Sequence, residues 1–422
     1  MSCDVSANRM KRNIPVEESS SLKIGYIFLH PPEGSLGTAA VLLRTTKALA
    51  DLGVESHIFT PFGKFRQLAP RVYIHKLPTS WYYAKFFYEI ARKLYYSPFV
   101  AKRFINIDTL MKVTNRICRG LMKYIQKRGI ELDLIEGEQE IGAIVAIRAS
   151  AQLKVPVVAH LHNLWAEELV DMGVITKDSS NYQQLKQLVR QIVEEADLTL
   201  TATHYMKQYL VDNYEVSLSK LVPAPKGASP VADISRKSYE SIKIVYSGAL
   251  SKHENVELYI KAIALVSKCL ESLEFYITGK GPYKRQLCKL ARKLKAPVRF
   301  LWLPTENEYY NFLSKMHIGI IPWENKVSRR IGASMKFLDY ISAGIAVIAT
   351  DIGGWTEIIK RERVGLLTEP SPESMAEEII RLIKNIPLLR EYGTNAYTLA
   401  QRYTWSEASR ALLNKYLQLL NH

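Results

Sequence analysis

The sequence predicts an α/β protein made of two doubly wound, parallel-sheet domains that face each other across a cleft. Three observations carry this. Strand-like and helix-like segments alternate along most of the 422 residues, the order that builds parallel sheets covered by helices. Two segments echo one another: SLKIGYIFLH at 21–30 and SIKIVYSGAL at 241–250 share a polar, basic start and an apolar run, as first strands of two similar domains would. Between them, Lys226–Tyr239 is polar and contains Gly227 and Pro230, the composition of a linker. The chain therefore divides into a disordered tail at 1–21, a first domain at 22–227, a linker at 228–240, a second domain at 241–400 and a last helix at 401–422.

In the first domain, a strand at Lys23–Leu29 runs through a loop with Gly34 and Gly37 into a helix at Thr38–Leu52, which exits through GVESHIF into the next strand. DLIEGE at 133–138 and VPVVAHLH at 155–162 read as buried strands, and 194–210 as a helix end, a strand and a new helix. In the second domain, LEFYITGKGP, VRFLWLP, HIGIIPW and IAVIAT are the strands after the first. IAVIAT is a continuous apolar run, which suits a parallel strand covered on both faces. The last helix, Trp405–Leu420, carries an apolar stripe of Ala408, Ala411, Leu412 and Tyr416.

Composition sets bounds. Apolar content of 47% and charged content of 23% are ordinary for a globular protein, but a formal charge of +16 implies an acidic partner. The four cysteines are scattered without a C-x-x-C pair, which argues against a zinc site or a disulfide framework and fits a reducing compartment. Residues 1–21 hold no apolar core of a secretory signal, and no apolar run is long enough to span a bilayer. The expected location is the cytoplasm.

The densest signal is KFLDYISAGIAVIATDIGGWTE at 336–357: a helix capped by Ser334 and closed by Gly344, a buried strand, and a glycine loop opening another helix. Asp351, Gly353 and Gly354 fall at the carboxyl end of that strand, where open α/β sheets bind ligands. Lys336 lies in the helix's first turn, where the dipole favours an anion, and Asp339 follows on the same face roughly 4.5 Å further along the axis. A cation for phosphate and a carboxylate for a ribose diol make a coherent pair; the spacing equally suits an i,i+3 surface pair.

This segment resembles the donor-binding signature of the GT-B glycosyltransferases, in the large retaining family 4 group that uses nucleotide sugars. Lys336, Asp339, Tyr340, Ala343, Gly344, Asp351, Gly353, Gly354 and Glu357 match its pattern, while Asp339 replaces the usual Glu and Ala346 the usual Pro. The resemblance implies two Rossmann-like domains with the C-terminal helix packed back across their junction. It implies that Gly353, Gly354 and Glu357 hold sugar and diphosphate, Asp339 the ribose, and Lys336 and Gly248 the phosphates. Two cations that the family carries after Gly248 are Ala249 and Glu254 here; Lys252, Lys326, Arg329 and Arg330 are the alternative sources of charge. Gly279 and Gly281 match the family's G-x-G-P turn near base and ribose, and Gly37 its glycine loop toward the donor phosphate. His162 matches a histidine beside the transferred sugar, with His160 alternating on the same side of the strand. The chain contains no D-x-D triplet, so neither metal nor other cofactor is expected, and basic residues would meet the phosphate charge.

Residues 81–128 form a basic, aromatic insert with eleven Lys/Arg against Glu89 and Asp108. Phe86, Phe87, Ile90, Ala91 and Leu94 recur at helical spacing among Lys85, Arg92 and Lys93. Such a face suits an anionic membrane surface, and equally ordinary core packing with a solvated basic side; a nucleic-acid role is not expected, since no such module appears. The resulting expectation is retaining transfer of a sugar from a nucleotide-sugar donor to a hydroxyl acceptor, lipid-linked or polysaccharide, peripheral on the inner face of the membrane. The alternatives are an inactive scaffold or partner subunit with the same fold, and a sugar-nucleotide epimerase.

Overall fold

The computed structural model describes residues 22–30, 37–77, 107–231, 234, 237–270 and 273–421. The tail at 1–21, Gly34 and the 81–106 part of the insert lie outside these residues.

The first sheet contains β1 (Lys23–Ile27), β2 (Glu55–Thr60), β3 (Arg66–Ala69), β4 (Val72–Lys76), β5 (Leu134–Glu138), β6 (Val157–Leu161), β7 (Leu198–Thr201) and β8 (Leu221–Pro223). Their spatial order is β3-β4-β2-β1-β5-β6-β7-β8, parallel throughout except for the β3–β4 pair. The second sheet contains β9 (Lys243–Ser247), β10 (Glu274–Thr278), β11 (Val298–Leu301), β12 (Ile318–Ile321), β13 (Ala346–Thr350) and β14 (Gly365–Thr368), in the all-parallel order β11-β10-β9-β12-β13-β14. In both sheets the strand order reverses beside the first strand, between β1 and β5 and between β9 and β12. Ligands bind outside the carboxyl ends of strands at such a switch point. The two echoing segments are thus equivalent strands in equivalent places.

Both sheets are covered on both faces, as their apolar strands require. Ile244 and Tyr246 of β9 enter one core layer and Val245 the other; Ala346 and Ile348 of β13 separate from Val347 and Ala349 in the same way. Strand and helix ends fall close to the sequence reading: β1 stops at Ile27 rather than Leu29, and the first helix at Asp51 rather than Leu52. The Ser334 hydroxyl accepts the Phe337 N–H, and Gly344 follows the helix at a positive φ of 58°. The sequence places both caps correctly.

The last helix, Trp405–Leu420, leaves the second domain and buries Leu412, Leu413, Tyr416 and Leu417 against Leu22, Ile24 and Tyr26 of the first. Gly227 makes that crossing possible. A Cβ there would sit 2.4 Å from the Trp405 backbone.

Candidate active site

Three loops at the carboxyl ends of β9, β10 and β13 carry most of the glycines singled out by sequence. Gly248 follows β9 at φ +150°, and a Cβ on it would lie 2.3 Å from Lys336 Cε and 2.9 Å from its Nζ. The absent side chain is the space that Lys336 crosses. Gly279 and Gly281 have a different reason to be glycine: a Cβ on either would lie 1.8 Å from the Gly248 carbonyl oxygen or 2.1 Å from that of Leu250. They let the loop after β10 lie backbone to backbone against the loop after β9, joined by Leu250 N to Lys280 O at 2.8 Å and Tyr283 N to Leu250 O at 2.9 Å. Gly353 has a φ of +70° with nothing near its missing Cβ, whereas a Cβ on Gly354 would lie 2.4 Å from the Arg330 carbonyl oxygen.

Lys336 and Asp339, one face of one helix in the sequence reading, are not brought to a common partner. Lys336 Nζ is 2.6 Å from Glu254 Oε2, and Arg329 Nη2 is 3.4 Å from Glu254 Oε1. Glu254 also accepts from Trp323 Nε1 at 2.9 Å and Tyr246 OH at 3.2 Å. Burial alone would raise this carboxyl; Lys336 and Arg329 outweigh it and hold the group at about 2. Asp339 is buried elsewhere, accepting the Tyr309 hydroxyl at 3.0 Å and that of Tyr310 at 2.8 Å, with Arg44 Nη1 of the first domain 3.5 Å away. Burial raises its pKa, and Arg44 is the first of the groups that oppose the shift.

The first domain meets this region at several points. Tyr205 OH donates to Glu357 at 2.6 Å, Thr203 Oγ1 to Ile331 O at 2.5 Å, and Ser328 N to Asp171 at 2.8 Å. Arg44 also pairs with Glu306 at 2.9 Å. Arg329 acts electrostatically on Glu168, countering the burial that raises that carboxyl.

On the first sheet, β5 and β6 are in register with Glu138 opposite His160. His162 Nε2 bonds Glu138, and His160 Nδ1 bonds Glu136 at 3.0 Å. His160 Nε2 is buried without a partner. Burial is the first cause that pushes Glu138 up and His162 well down, and both shifts disfavour the charged form. His162 Nδ1 makes no hydrogen bond among the described residues, which leaves a neutral imidazole nitrogen available for a hydroxyl. Tyr416, from the last helix, donates to Glu136. Glu138, His160 and His162 bring ligand atoms within 4.8 Å of one another, a geometry that metal sites share. Here the half-buried Lys226 supplies positive charge beside Glu138.

Gly37 opens the helix Thr38–Asp51 at φ +72°, and Lys252 stands exposed in the turn after β9. Sequence reading passed over Glu136, Glu138, Trp323 and the Tyr309–Tyr310 pair. Two acids alternating in a five-residue strand buried along its whole length, LIEGE, were a visible signal. The tyrosines were not, because what marks them is a carboxylate thirty residues away in the chain.

Comparison with known proteins agrees with this geometry. A family model described as Glycosyltransferase Family 4 matches residues 36–230, and one described as Glycosyl transferases group 1 matches 232–399. The chain is a GT-B glycosyltransferase of the family 4 type. N-acetyl-alpha-D-glucosaminyl L-malate synthase of Bacillus anthracis is 23% identical over 395 residues, covering 89% of this chain and 91% of that protein. Chitobiosyldiphosphodolichol beta-mannosyltransferase of Candida albicans is 26% identical over 212 residues, and the match covers 45% of this chain and 46% of that one. The chain thus spans about half the length of some curated relatives it matches. Among solved structures, sucrose-phosphate synthase from Thermosynechococcus elongatus gives a TM-score of 0.73 at 18% identity, over 94% of this chain and 99% of that one. Anabaena HepE in complex with UDP-glucose gives 0.67 at 14%, again over 94% and 99%. At these identities the structures establish the fold of this GT-B protein alone.

Proposed function

We propose that the protein transfers a sugar from a nucleotide-sugar donor to a hydroxyl acceptor, with retention at the anomeric carbon. The observation that carries this is Lys336 lying across Gly248 at the carboxyl end of β9, beside the Gly353–Glu357 loop that Tyr205 ties to the first domain. In this reading Lys336, Gly248 and Lys252 meet the diphosphate, helped by backbone N–H groups at Gly37, Gly353 and Gly354. Glu357 holds the sugar and His162 a hydroxyl beside the reacting carbon. Gly279 and Gly281 shape the base and ribose pocket by fixing the loop after β9. Asp339 binds the ribose once its Tyr310 hydroxyl bond is exchanged for the diol. The phosphate charge is met by cations, so no metal is required.

A nucleotide-sugar donor is supported by the HepE structure with UDP-glucose. A lipid-linked acceptor at the inner membrane face is supported by the helix Ile107–Arg128, whose exposed side carries Lys112, Arg119, Lys123 and Lys127, and by the diphosphodolichol in the Candida relative's name. Among the described residues no helix is long and apolar enough to cross a membrane, so attachment would be peripheral.

The test is a thermal-shift panel of UDP, GDP, ADP, TDP and CMP, repeated on Asp339→Asn. A ligand at 100 times its Kd adds about 2.7 kcal/mol to the folded state. One nucleoside diphosphate should raise the melting temperature by several degrees, less in the variant. No shift with any of them would turn the reading to an inactive scaffold. For the membrane, pelleting with anionic vesicles should fall as salt rises, and no pelleting at low salt would remove that part.

A further inference from the structure

The loop after β9 lacks both cations that its family resemblance leads one to expect, and an acid, Glu254, stands at one of the two positions. Read alone, that substitution removes positive charge from a phosphate site. The structure gives it another meaning. Glu254 is anchored by two rigid donors of the second domain, the Trp323 indole at 2.9 Å and the Tyr246 hydroxyl at 3.2 Å. Its remaining capacity is spent on Lys336 at 2.6 Å and Arg329 at 3.4 Å, which arrive from a different part of the chain. Both cations lie over the Trp323 ring, Lys336 Nζ 5.2 Å and the Arg329 guanidinium carbon 4.7 Å from its centroid. Arg329 further donates to the carbonyl of His253 at 3.2 Å, next to the acid that holds it.

We propose that Glu254 is a positioning residue that replaces a loop cation with a relocated pair, holding Lys336 and Arg329 beside Gly248 as the clamp for the donor's β-phosphate. One carboxylate against two cations leaves one net positive charge at the cleft. An ammonium has three protons, so Lys336 retains donors for a phosphate while bonded to Glu254, and the Arg329 guanidinium adds its charge beside it. The pair is pre-formed: Lys336 and Arg329 side chains are only 12% and 22% exposed, and Gly248 has no side chain to block the first. The proposal rests on the nucleotide-sugar reading above and adds Arg329 and Glu254 to it. It opposes the simpler idea that Glu254 occupies the phosphate site and competes with the donor.

The two ideas differ in sign, which makes the test decisive. Titration calorimetry would compare a nucleoside diphosphate with its monophosphate, UDP against UMP or GDP against GMP, on the wild type, Glu254→Gln and Arg329→Ala. The wild type should prefer the diphosphate at least tenfold. Both variants should lose most of that preference while monophosphate affinity changes less than threefold. A general structural loss would weaken both nucleotides equally and overturn the proposal, as would tighter diphosphate binding by Glu254→Gln. Binding of the diphosphate to the wild type with its preference intact in both variants would reject the clamp and leave the nucleotide-sugar reading standing. If the wild type binds no nucleotide, both fall together.

Discussion

Glu254 in the second domain and Glu138 in the first are both buried, both at the cleft end of a doubly wound sheet, and both influenced by a lysine. They are driven in opposite directions. Glu254 receives Lys336 and Arg329 in direct contact and is held at about 2, ionised at every working pH. Glu138 lies beside Glu136 and bonds a neutral histidine, and Lys226 does not overcome its burial. The same topology has thus been furnished with a charged face and a nearly neutral one. A diphosphate needs the first, whereas a sugar hydroxyl exchanging hydrogen bonds needs the second.

The sharpest way to break this comparison is to remove the neutral face. His162→Ala should lower the rate of sugar transfer by about 10²–10⁴, the range for losing a group that handles a proton or hydroxyl at the reacting centre. Nucleoside diphosphate affinity should stay within about threefold, because the cations proposed for the phosphates, Lys336 and Arg329, sit on the other domain. A variant that loses nucleotide binding together with transfer would show that the two faces do not divide the work.

A second, smaller effect tests whether the glycines after β10 serve packing. Gly279→Ala would put a Cβ 1.8 Å from the Gly248 carbonyl at a φ of +143°. Backbone cannot yield as a flexible side chain does, so a loss of roughly 2–4 kcal/mol is expected. Calorimetry should register that as a melting temperature lower by several degrees. An unchanged melting temperature with lost nucleotide binding would return Gly279 to the ligand.

The asymmetry between the faces also explains what the sequence discloses. The second domain's candidate site lies in one continuous segment, so Lys336, Gly353 and Glu357 were legible through the resemblance of that stretch and Gly344 as a helix stop. Its electrostatics were not, because the carboxylate that organises Lys336 lies 82 residues away. Lys336 and Asp339 share a helix face but not a protein partner: Glu254 takes one, Tyr309 and Tyr310 the other. In the first domain the site is assembled from β5, β6, the linker's Lys226 and the last helix's Tyr416. Of these residues only His162 had a matching family position. The acids in LIEGE had no family position, but two carboxylates alternating in a strand that reads as buried were themselves a signal.

The smallest expected effect concerns stability and the cost of that neutral face. Glu140, in the first turn of the helix after β5, is buried and accepts the Trp165 N–H at 2.7 Å. Burial lifts its pKa to about 7, against the Trp165 bond that lowers it. In the unfolded chain the group would titrate near an ordinary glutamate. Between these limits the unfolded state releases a proton that the folded state keeps. Its contribution is therefore complete below the unfolded pKa, declines as pH rises toward 7, and is flat above. The loss between pH 5 and 7.5 should be at most about 2.5 kcal/mol. Glu140→Gln keeps the acceptor for Trp165 and cannot ionise, so melting temperature against pH should flatten over that window relative to the wild type. Glu254→Gln should leave the same window unchanged, because the wild-type acid there is already ionised and loses its contribution only as pH falls from about 4.5 toward 2. If both variants change the slope between pH 5 and 7.5, the two faces are not electrostatically distinct.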